Sequence, residues 1–156
     1  FVLLLATTYS AGHKYYPDKE KFGVKVDIKF TEHIIETVKK LYPNSEIIIR
    51  LHPRTPPELF EAYNKNFFHS IYRIDFSNFV PVEAYYVFKN MEAVVSGYYS
   101  SSLMYATQLF NKKAFFCSPT KSLESYYTEK QRYLDNKLID RLGINKLQIN
   151  ESLLAA

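Results

Sequence analysis

Ser45-Glu46-Ile47-Ile48-Ile49-Arg50-Leu51-His52-Pro53-Arg54 joins an apolar run to an abrupt polar turn. Three consecutive β-branched isoleucines favour a buried strand. Proline then restricts the residue before it to extended geometry, so the strand ends at His52-Pro53. Directly afterwards, Thr55-Pro56-Pro57-Glu58 has the form of a helix start, a capping hydroxyl followed by proline in the first turn. The stretch therefore reads as strand, tight turn, helix. In a parallel α/β sheet that order places His52 at the carboxyl end of a strand, the edge at which ligands bind.

The same unit recurs on either side. Phe1 to Ala6 reads as a buried strand, ending in the polar turn Thr7-Thr8-Tyr9-Ser10-Ala11-Gly12. Lys14 to Lys29 is polar and charged, the least ordered-looking part of the sequence. Thr31 is expected to cap a helix with Ile34, Ile35, Val38 and Leu41 on one face and Lys39-Lys40 at its C-terminal end, stopped by Pro43-Asn44. The helix after Pro57 runs through Phe60 and Tyr63 to Phe68, and Ser70 to Ile74 makes a third strand. Pro81 opens the next helix, with Ala84, Val87 and Phe88 expected inward. Ala93 to Ser96, Ser100 to Leu109 and Lys113 to Cys117 continue as strand, helix and strand. This alternation predicts an α/β fold, a Rossmann-like parallel sheet with helices on both faces. Residues 1–120 form the expected nucleotide-binding domain. Residues 121–156 form a helical tail packing on it, helical over Tyr126 to Leu142 and stopped by Gly143.

Composition narrows the function classes. The 156 residues are 47% hydrophobic and 23% charged, which is globular rather than disordered. With 14 Tyr and no Trp, many rings must be half-buried, packing by the ring and hydrogen bonding by the hydroxyl. A single cysteine excludes an internal disulfide and a cysteine-based metal cluster; Cys117, within an apolar strand, reads as a buried inert thiol. His13, His33 and His69 show no ligand spacing, so no metal site is expected. No apolar run approaches the roughly 18 residues of a membrane span. Lys and Arg never run longer than two, which argues against a nucleic-acid partner despite the net charge of +4. The chain opens on Phe1 with an apolar strand rather than on a leader, so a piece of a larger protein is expected.

Several polar groups fall on the predicted ligand edge. His52 can donate to a phosphate oxygen, beside Pro53, and Arg54 can add a fork of N–H donors. Glu83, in the first turn of its helix, suits the helix dipole and can also accept ribose hydroxyls. Ser100-Ser101-Ser102 begin a helix; one serine serves as its cap, and three exceed that need, making a phosphate cradle with the free N–H groups. Gly97 is expected to let the backbone approach a ligand, and Thr8 to add a hydroxyl to the same rim.

With these residues quoted, the chain resembles sialyltransferases of the bacterial GT-B type, the lipooligosaccharide and polysialic-acid families. His52-Pro53 matches their HP motif, Ser100-Ser101 their paired Ser/Thr motif, and Glu83 an acidic position between the two. The resemblance covers roughly residues 1–117 and implies the donor-binding half of a two-domain, inverting enzyme. It implies CMP-sialic acid or a related nonulosonic acid as donor. His52 would serve the donor phosphate as the catalytic group, Ser100 and Ser101 would hold that phosphate, and Glu83 would hold the ribose. It further implies no metal or other cofactor, a lipooligosaccharide or capsule-type glycan acceptor, and a cytoplasmic location, with contact to the inner membrane surface where acceptors are lipid-linked. The family's acidic catalytic-base motif has no copy here, so a missing N-terminal domain is expected to supply it and this chain is expected to be inactive alone.

Two other readings stand beside it. A GT-B transferase with a glycerophosphate or diphosphate-sugar donor would use the same edge. A non-catalytic nucleotide or nucleic-acid binding module would keep the fold and lack the chemistry.

Overall fold

The structure, a computed structural model, describes residues 1–6, 24–53, 55, 57–67, 72–75, 80–97, 100–118, 137 and 139–148. Strands β1 (Val2–Leu5), β2 (Ile47–Arg50), β3 (Tyr72–Asp75), β4 (Ala93–Ser96), β5 (Lys113–Ser118) and β6 (Asn145–Gln148) form one sheet in the order β3-β2-β1-β4-β5-β6. Every pairing is parallel, and β1 pairs in register with both β2 and β4: Leu5 lies opposite Arg50 on one side and Ser96 on the other. The order grows outward from β1 in one direction and then, after β3, in the other. The expected Rossmann-like α/β class is the observed one.

Helices cover both faces. Because strand side chains alternate, Val2, Leu4, Ile47, Ile49, Ala93 and Val95 face α1 (Val24–Leu41) and α2 (Pro57–Phe67). Leu3, Leu5, Ile48, Val94, Ala114 and Phe116 face the other way, toward a 3-10 helix (Val82–Val87), α3 (Ser101–Gln108) and Ile139. The central strands are therefore apolar up to their last residues, Arg50 and Ser96, as parallel strands buried on two sides tend to be. Each fully buried Leu or Ile contributes roughly 1.5–3 kcal/mol relative to exposure.

The structure differs from the sequence reading in four places. The first helix starts at Val24, not at Thr31, so part of the stretch read as unordered is helical. Ile28, Ile34, Ile35 and Val38 still make the apolar stripe, and Asp27 and Thr31 occupy it too, both buried. They are tolerated because Tyr63 of α2 serves both: its hydroxyl donates to Asp27 Oδ2 at 3.2 Å and shares a 2.7 Å hydrogen bond with Thr31 Oγ1. In the segment after Pro81 the buried residue is Tyr86, while Val87 and Phe88 are exposed; a 3-10 helix repeats every three residues, which moves the inward positions from those of an α-helix. Leu41, expected on the apolar face of the first helix, is exposed in its last turn. Finally, the sheet runs past residue 120: β6 pairs with β5, Phe115 opposite Asn145 and Cys117 opposite Leu147. The segment read as a tail packing outside the sheet thus carries a strand of the sheet itself. Gly143, at φ 64°, ends the helical residues 139–142, as expected of glycine in the left-handed region, while residues 126–136 of the expected tail helix lie outside the described residues.

Removing the Tyr63 hydroxyl leaves the buried Asp27 carboxylate and Thr31 hydroxyl short of a partner. Tyr63→Phe is expected to lower stability by about 1–3 kcal/mol, read as a shift in the urea midpoint. Cys117 is buried, and burial pushes its thiol up to about 12. The neutral form is thus held in the folded state, and its contribution to stability is present below the ordinary thiol value near 9 and lost as pH rises toward 12. At pH 8 a disulfide reagent is expected to label Cys117 only as fast as the protein unfolds.

Candidate functional site

The strand order reverses between β1 and β4, and in open α/β sheets a crevice opens at the carboxyl ends of the strands where this happens. A cleft of about 240 Å³ lies there. Its floor is Leu5 and Ala6 at the end of β1. One side is Arg50 to Pro53 at the end of β2, the opposite side is Ser100 to Ser102 at the start of α3, and Val80 to Val82 form a third wall.

Each wall has a local cause. The Thr55 N–H donates to the His52 carbonyl at 2.9 Å, closing a tight turn with Pro53 at its second position. That turn holds the half-buried His52 at the cleft, with Pro53 exposed beside it. The Thr55 hydroxyl, expected to cap α2, has no hydrogen-bond partner among the described residues. Ser100 is the N-cap of α3 in extended geometry, its Oγ accepting from the Ser102 N–H at 3.2 Å. One of the three serines is therefore occupied in capping, as the sequence reading required. Ser101, exposed at the first helical position, presents its hydroxyl at the positive end of the helix.

Among the described residues no carboxylate lines the cleft, whereas Arg50, His52 and the α3 N-terminus do. The arrangement favours an anion. Its volume is below the roughly 300–1,000 Å³ of a complete small-molecule site.

The structure thus brings His52, Pro53, Ser100, Ser101 and Ser102 to one cleft. Glu83 is half-buried in the first turn of the 3-10 helix, one residue beyond the Val82 wall, and is not itself part of the lining. A Cβ at Gly97 would collide with Phe30 Cε1 and lie 2.8 Å from Ile34 Cδ1, so the glycine makes room for α1 against the end of β4. Arg54 and Thr8 lie outside the described residues. Two elements of the site escaped the sequence reading. Arg50, the last residue of β2, looks like a solvated strand end but is buried, and its guanidinium donates to the Val80 carbonyl. The available signal was its place as the one charge between an apolar run and the His52 turn. The Val80 to Val82 wall is the second, recognisable in sequence only as the approach to a helix.

A family model described as alpha-2,8-polysialyltransferase (POLYST) matches residues 11–118, well over half of the chain. The chain belongs to this family. The match takes in the His52 turn and the α3 serines and ends with the last residue of β5. Membership makes the chain part of a glycosyltransferase family that transfers sialic acid, with a nucleotide-sugar donor and a glycan acceptor as its general partners. No curated protein matches the chain. Among the described residues no helix is long and apolar enough to cross a membrane.

Gly97 and Ser100 have structural roles beside the cleft. Gly97→Ala is expected to cost about 1–3 kcal/mol by overpacking against Phe30 and Ile34. Ser100→Ala is expected to cost about 1 kcal/mol as a lost cap. Both are read by chemical denaturation.

Proposed function

We propose that this chain forms the donor-binding domain of a GT-B sialyltransferase, binding a cytidine monophosphate-activated sialic acid or related nonulosonic acid for inverting transfer to a glycan. The observation that carries the reading is the convergence of the His52 turn and the α3 serines on one cleft at the strand-order reversal, with no carboxylate among its described lining residues, in a chain of the polysialyltransferase family.

The chemistry follows from the groups at the cleft. Ser101, at the positive end of α3, holds the donor phosphate, an anion at a helix start. His52 hydrogen-bonds a phosphate oxygen and, as general acid, neutralises charge on cytidine monophosphate as its bond to the anomeric carbon breaks. The acceptor hydroxyl attacks that carbon from the opposite face, which inverts the centre. Glu83, next to the Val82 wall, takes the ribose hydroxyls. A cleft of this volume suits part of a nucleotide sugar, consistent with a partner domain that closes over it and supplies the base. No metal is assigned to the reaction. Donor supply and lipid-linked acceptors would place it in the cytoplasm, at or near the inner membrane surface.

The test is calorimetric titration of the intact protein with cytidine monophosphate, uridine monophosphate and the two corresponding diphosphates. Selective binding of cytidine monophosphate is expected, weakened about tenfold or more by His52→Ala and by Ser101→Ala, in line with loss of one charged hydrogen bond. Preference for a diphosphate would move the reading to a transferase with another nucleotide donor. Affinity untouched by His52→Ala would remove the cleft as the site.

A further inference from the structure

Arg50 is the buried cation of the cleft, and its place follows from strand alternation. It has the parity of Ile48 in β2, so it projects to the face covered by the 3-10 helix and α3. There its guanidinium donates to the Val80 carbonyl, thirty residues away in sequence. A buried guanidinium is costly to leave without an acceptor, and the carbonyl of Val80, itself an exposed residue, supplies one. The pair therefore ties the Val80 to Val82 wall to the end of the strand that also carries the His52 turn. The other end of the segment is tied too: the Tyr86 hydroxyl donates to the Ser102 carbonyl at 3.0 Å. The wall is thus braced between the two sides of the cleft, β2 at one end and α3 at the other.

We infer that Arg50 is a positioning residue of the donor site, setting through the Val80 carbonyl the distance of the Val80 to Val82 wall from His52 and Ser101. The inference rests on the donor reading above and adds to it a residue that acts on the pocket's width rather than on the leaving phosphate. A planar guanidinium offers five N–H donors in a fixed fork, which makes it a stiffer brace than a lysine ammonium on a flexible stem. Lysine nonetheless keeps a donor and the charge, so it is the conservative replacement.

The experiment compares Arg50→Met, Arg50→Lys and Tyr86→Phe in the intact protein, at a temperature well below each melting point. Amide hydrogen exchange over residues 82–87 and cytidine monophosphate affinity are both measured. In Arg50→Met, exchange over 82–87 is expected to quicken and the dissociation constant to rise about tenfold. Arg50→Lys is expected to restore most of both. Tyr86→Phe, which frees the other end of the brace, is expected to move both in the same direction by a smaller factor, and it keeps the inference testable if Arg50→Met does not fold. Faster exchange with unchanged affinity would overturn the inference, since the wall would then not govern the pocket. So would lost affinity with unchanged exchange and no rescue by lysine, the signature of direct contact with the ligand. If the wild type binds no cytidine monophosphate, the donor reading fails by itself. Exchange over 82–87 then decides whether Arg50 holds the wall: unchanged exchange in Arg50→Met overturns that as well.

Discussion

Backbone pairing at β1 is the constraint on which the rest depends. This strand has hydrogen-bonded neighbours on both sides, and both are parallel. Parallel neighbours need crossover connections. Those from β1 through β3 run over one face, and those that return to β4 and continue to β5 run over the other. Reversal of growth at β1 sends the connections on its two sides to opposite faces, which opens a crevice at its carboxyl end. The cleft is a topological result before it is a chemical one. Its lining follows, because whatever ends β2 and begins α3 must face that gap.

The chemistry of the lining rests on backbone geometry of two kinds. A tight turn after β2 presents the imidazole, and a capped helix start presents hydroxyl and N–H groups. Both are short-range devices that require little beyond their own residues. The third wall is different: Val80 to Val82 belong to a connection, and long-range bonds from Arg50 and Tyr86 place them. Where local devices supply the reactive groups and distant ones supply the spacing, substitutions that touch no ligand can alter binding.

How much was legible in the sequence follows the same division. His52-Pro53 and the three serines were readable because proline restriction and N-capping are properties of adjacent residues. The inner strands β1, β2 and β4 were readable because strands buried on both faces are largely apolar. Asp27 and Thr31 misled because a polar residue at a helix start normally marks solvent or a cap. Their burial depends on Tyr63, which lies more than thirty residues along the chain. Arg50 was hidden for the same reason, its partner being a backbone carbonyl that carries no sequence signature. The packing role of Gly97 was hidden too, since nothing local shows that Phe30 and Ile34 fill the space above it. β6 escaped because Asn145-Lys146-Leu147-Gln148 is short and mostly polar, as befits a strand that, among the described residues, stands at the end of the sheet.

That outermost strand decides how the protein can be dissected. Residue 120 looks like a natural place to cut, since the apolar alternation and the family match both end just before it. Cutting there would strip β6 from β5 and leave the amides and carbonyls of Phe115 to Ser118 facing water as a bare template for another chain. Phe116 and Cys117, buried now, would border that edge. A shortened form would invite edge-to-edge association, and loss of activity in it would report on aggregation rather than on donor chemistry. The smallest piece that keeps the sheet closed on this side extends through Gln148.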